Sequence, residues 1–258
     1  MSPRTKRALT ILLTVVALLV LGWQIKTGFF VHDRSLRLRL TLTVETPEGV
    51  RTGSSVTEQT ITFGPFQLRY GSGGWDIGSF LSGEGVVVDL GQRGLLVATL
   101  VAPGWIRSRG WGGGGGYAVD PFLGLVTYIS NPPDRLSAAE RYMVHLDEVK
   151  RLKPKADVSL KQLPVLVGFS DPNNPTSISV VDPSNLAGAF GSGVKLKTAT
   201  VEVTDDPVTH SIEVHLPWLK QNKLPKLDDL IFPPPPPGYE WVDPHPPNFR
   251  YSVFVKPQ

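Results

Sequence analysis

The chain contains no cysteine. Disulfides, zinc–thiolate centres, thiol nucleophiles and lipobox acylation are therefore excluded together. Acid is missing from residues 1–30, which carry Arg4, Lys6, Arg7 and Lys26 and no carboxylate. The remaining chain holds 22 basic and 23 acidic side chains, so the overall charge of +3 is made by the N-terminus. A body without basic excess lacks the electrostatic footprint of a nucleic-acid binder, and no nucleic-acid partner is expected. Glycosylation sequons are absent as well, because Pro175 blocks the Asn174-Pro175-Thr176 triplet, which favours a bacterial periplasm over a eukaryotic lumen. Glycine and proline, by contrast, are abundant at 26 and 24 residues. Such a composition predicts many short elements joined by turns.

Residues 8–25 form a run of 18 residues, broken in polarity by Thr10, Thr14 and a terminal Gln24. At about 1.5 Å of rise per residue the run spans roughly 27 Å as a helix, close to a bilayer core of about 30 Å. The sequence Leu21-Gly22-Trp23-Gln24-Ile25 offers no small-x-small cleavage site, so an uncleaved anchor is expected rather than a signal peptide. Three cations precede the run and one follows it. That asymmetry predicts a cytoplasmic N-terminus and an exported body. Residues 1–30 are thus read as cytoplasmic tip and transmembrane anchor, and residues 31–258 as a single exported domain.

The body reads as mainly β and sandwich-like, with an α+β arrangement as the variant. Leu36, Leu38, Leu40, Leu42 and Val44 alternate with Arg37, Arg39, Thr41, Thr43 and Glu45, the period of a strand with one buried face. Pro47 and Gly49 predict a turn, with a strand resuming at Ser54. Residues 83–102 read as a hairpin around Gly91-Gln92-Arg93-Gly94, its runs Val86–Val88 and Leu95–Val97 apolar enough for burial on both faces. Residues 103–120 read as a loop, and a strand is expected from Phe122. One amphipathic helix is expected near 137–152. Ser137 and Glu140 have capping-box spacing, Tyr142, Leu146 and Val149 make the apolar stripe, and Pro154 ends it. Further strands are expected over 163–171, over 193–206 and near the C-terminus, with a proline-rich extended segment at 233–247.

Several motifs fail on their context. Gly110, Gly112 and Gly115 match a dinucleotide fingerprint, yet Pro121 follows where a helix is required. Asp171, Asn173 and Asp182 fall at positions 1, 3 and 12 of a calcium loop, but Pro175 and Thr176 replace an oxygen ligand and the glycine. An Asx-type turn leading into a strand accounts for them. His32, His145 and His245 are scattered, and no nucleophile elbow or zinc-helix motif occurs. No cofactor is expected, and no catalytic residue is assigned.

The densest group of chemistry-bearing residues is VTDDPVTHSIEVHLPWL, residues 203–219. Asp205, Asp206 and Pro207 form a turn in their own right. A regular strand after it places His210, Ile212, Val214 and Leu216 on one face and Ser211, Glu213 and His215 on the other. Glu213 and His215 remain as a candidate metal pair, short of the three or four ligands that a site needs.

The phrases TPEGVRTGSSVTE (residues 46–58), GEGVVVDLGQRG (83–94) and PVLVGFSDPNNPTSISVVDPSNLAGAFGSGVKLKTATVEVTDDPVTHSIEVHLPWL (164–219) resemble a group of uncharacterised proteobacterial membrane-anchored envelope proteins. The resemblance implies an envelope location and one coherent domain, and carries over no activity, cofactor or catalytic residue. The expectation is a protein held in the bacterial inner membrane through residues 8–25. Its periplasmic domain would be a binding or structural module with an envelope protein partner. The competing expectation is a periplasmic hydrolase, metal-dependent through Glu213 and His215. A third is a scaffold that self-associates along a strand edge.

Overall fold

The computed structural model describes residues 3–26, 32–64, 76–100, 138–220 and 255–256. Its first element, α1 (Pro3–Lys26), contains the apolar stretch Thr5–Gly22, and none of that stretch is buried. Leu19, for example, is 67% exposed. Thr10 Oγ1 donates to the Lys6 carbonyl at 3.0 Å and Thr14 Oγ1 to the Thr10 carbonyl at 2.9 Å. The two polar breaks are thereby satisfied within the helix, as an apolar medium demands. The helix is long and apolar enough to span a membrane and is not a core helix of the described chain.

The body continues with β1 (His32–Thr46), β2 (Gly49–Gly64), β3 (Asp76–Glu84), β4 (Val86–Asp89) and β5 (Leu95–Ala98). After α2 (Ala138–Leu152) come β6 (Lys155–Asp157), β7 (Leu166–Phe169), β8 (Ile178–Val181), α3 (Ala187–Phe190) and β9 (Lys195–Val203). The helical turn α4 (Ile212–His215) and the short β10 (Val255–Lys256) complete the described elements. One sheet has the order β10-β3-β2-β1-β9-β6 and the other β4-β5-β7-β8. All neighbours are antiparallel. The expected β-rich class is observed.

The alternation in β1 sorts its side chains as expected. Leu36, Leu38, Leu42 and Val44 are buried and meet Val86, Val88, Leu96, Leu166 and Val181 of the second sheet in one core. The first hairpin is tighter than expected, with Thr46 paired to Gly49 and β2 running from there instead of from Ser54. Gly49 adopts a φ of +125°, and Thr46 Oγ1 donates to its carbonyl at 2.8 Å, so two residues suffice to reverse the chain. Gly53 then lies so close to β4 that a Cβ would sit 1.9 Å from the Val87 carbonyl oxygen. This glycine lets the two sheets approach where β2 crosses β4. The chain itself changes sheet at Gly83-Glu84-Gly85, between β3 and β4, which is how sandwich corners are built.

In the second hairpin β5 is buried throughout, whereas β4 ends its sheet and leaves Asp89 exposed. The helix expected near 137–152 appears as α2, with Leu146 and Val149 buried and Met143 packed on the core. Asp147 pairs with Arg34 at 2.8 Å and Lys150 Nζ donates to the Ser35 carbonyl at 3.4 Å, fixing α2 to the start of β1. Lys153 follows with a φ of +47°, the left-handed residue that commonly closes a helix, and its N–H reaches the Val149 carbonyl. The loop over 103–120, the strand from Phe122, Gly110, Gly112, Gly115, His245 and the segment 233–247 lie outside the described residues.

Candidate functional site

The five chemistry-bearing residues of 203–219 do not form one site. Asp205 and Asp206 sit on the outer face of the larger sheet, where β1 and the end of α2 present cations. Asp205 pairs with Lys153, and Asp206 with Arg39. Arg39 also reaches Glu202, its direct neighbour in β9, at 2.7 Å. Arg37 bonds Glu58, directly opposite in β2, at 2.6 Å, and donates to the Asp205 and Asp206 carbonyls at 3.3 and 3.4 Å. The result is a charge ladder across β2, β1 and β9, extended by Asp205, Asp206 and Lys153. The hydrogen bond from Lys153 holds the Asp205 carboxyl below its usual range.

The strand expected after this turn is not formed. Thr209 instead pairs with β2, its N–H to the Val56 carbonyl at 3.0 Å and its hydroxyl accepting from the Val56 N–H at 2.8 Å. Residues 212–215 then coil into α4, and a 3-10 turn follows over Pro217–Lys220. Ile212, Leu216 and Leu219 are buried while Val214 is 75% exposed. The spacing i, i+4, i+7 is helical, and it overrides the period-two reading of the same residues. Glu213 and His215, two apart on a helical turn, project about 200° away from each other instead of sharing a strand face. His210 is exposed, Glu213 half-buried and His215 exposed. Among the described residues no group of three or more His, Asp and Glu side chains is placed to hold a metal ion.

A residue that the sequence reading passed over organises this region. Glu84 is 3% exposed at the corner between the sheets. Its carboxylate accepts from Ser211 N–H at 2.8 Å, Ser211 Oγ at 3.0 Å and Ile212 N–H at 2.9 Å. The first N–H groups of α4 lack intrahelical partners, and a carboxylate from a distant strand supplies them. Beyond α4, Trp218 is buried against Phe169, with ring centroids 5.7 Å apart, and Nε1–H donates to the Pro172 carbonyl at 3.1 Å. Residues 204–220 are thus a belt fastened to β1, β2 and β3 of one sheet and to β7 and its following loop in the other. The sequence signal for Glu84 is slight: a lone acid between two glycines at a strand end.

Buried polar side chains concentrate at the same corner. Ser55, Glu84 and Thr99 line an opening of about 20 Å³ together with Leu38, Leu40 and Val201. That volume holds about one water molecule. Ser55 Oγ donates to the Glu84 carbonyl at 2.9 Å and Thr99 Oγ1 to the Val165 carbonyl at 2.9 Å. Each hydroxyl hydrogen is committed to a main-chain acceptor, and the carboxylate is committed to the belt. This chemistry joins chain segments, and the opening has no room for a substrate.

At the opposite end of β1 a second polar assembly joins the sheets. Arg93 binds Glu48 through Nε at 3.0 Å and Nη2 at 2.8 Å, and donates from Nη1 to the Phe190 carbonyl at 2.8 Å. The paired guanidinium drives the Glu48 carboxyl down to about 2. Three turns, at 46–49, 90–94 and 190–194, are held by this one side chain.

The calcium-like residues separate into two local turns. Asp171 Oδ1 accepts from Asn173 N–H at 3.0 Å, and Asp182 Oδ1 accepts from Ser184 N–H at 2.8 Å beyond β8. The Asx-type reading accounts for both. His145 is half-buried on α2. No protein-family model, curated protein or solved structure matches the chain.

Proposed function

We propose that this protein is a single-pass inner-membrane protein of a bacterial envelope, with a cytoplasmic N-terminus and a periplasmic β-rich domain that acts as a binding or structural module. One observation carries the reading: the apolar stretch Thr5–Gly22 is wholly unburied, yet only residues 27–31 separate α1 from β1. Water does not accommodate so continuous an apolar helix, whereas lipid does. The cations before the helix favour the stated orientation. The resemblance of 46–58, 83–94 and 164–219 to proteobacterial envelope proteins agrees with that placement. A binding or structural role is supported by the corner at Glu84, whose polar groups are engaged with the chain's own backbone. The expected partner is an envelope protein that lies near the membrane surface, because the tether is short.

A reporter active only in the periplasm, fused after Gln258, tests the topology in a Gram-negative host. Activity is expected, and an expressed but inactive fusion overturns the proposed orientation. Co-purification of the full-length protein from its native membrane then identifies the partner.

A further inference from the structure

We draw no further inference here: the strongest candidate, the outer edge of the four-stranded sheet along β8, where Val180 is 46% exposed and no described strand pairs with it, carries nothing because nothing in the structure shows what covers it.

Discussion

Glu84 and Glu48 are both carboxylates that tie distant turns together, and their environments give them different sensitivities. Replacing Glu84 by Ala removes the acceptor of the buried Ile212 N–H and of the part-buried Ser211 N–H and hydroxyl. The expected loss is about 3 kcal/mol, with about 1–2 kcal/mol for the Gln variant, which keeps one acceptor. Urea unfolding of the full chain in mild detergent measures this, and a loss below about 1 kcal/mol for Glu84→Ala would contradict the latch. Glu48 is largely exposed, so its pairing with Arg93 is open to solvent screening. Its folded value of about 2 lies below the ordinary 4.5 of a glutamate. A depressed carboxyl contributes stability above its unfolded value, and that contribution is lost as the pH falls through the folded one. The stability difference between wild type and Glu48→Gln should therefore be full at neutral pH, shrink below about 4.5 and vanish near 2. A difference independent of pH would assign the effect to turn packing instead.

At the scale of elements, the belt over 204–220 has no regular pairing to hold it and relies on a few anchors. Trp218 is the largest of these, its ring tilted against Phe169 of β7 and its N–H bonded to the Pro172 carbonyl. Trp218→Ala is expected to cost about 3–5 kcal/mol. Trp218→Phe should cost about 1 kcal/mol, since it keeps an aromatic ring and loses the N–H. Amide exchange read residue by residue distinguishes a local anchor from a general core residue. In Trp218→Ala the amides of Val214 and Leu216 should exchange faster, while those of β1 keep their order of protection. Uniform acceleration across β1 would place Trp218 in the common core.

On the scale of the whole molecule, α1 and the sandwich are separate stability problems. The sandwich closes its core with side chains from both sheets and from α2, and none of Thr5–Gly22 is buried. Removal of residues 1–31 should therefore give a body that stays in solution without detergent. Its thermal midpoint should lie within a few degrees of the full-length protein's, because the change in buried area is small. Circular dichroism and sedimentation check both outcomes. Aggregation or a large drop in midpoint would mean that α1 packs on the body.

Local periodicity was enough for the elements whose stability is local. The alternation in β1, the apolar run of α1, the helix ending before Pro154 and the glycine turns were all legible, because each depends on neighbours a few residues away. The segment 208–216 was misread because its apolar residues satisfy both periods, and the tie is broken by the Glu84 carboxylate, 128 residues from Ile212. The same holds for Asp205 and Asp206: their turn was legible, but the cations that receive them come from β1 and from the end of α2. Sequence by itself determined an apolar N-terminal helix and a strand-rich body with one amphipathic helix, since backbone geometry converts short-range pattern directly into elements. Tertiary structure alone decided which sheet each strand joined, that Glu84 fastens a belt, and that Glu213 and His215 point apart, since these depend on which distant segments meet.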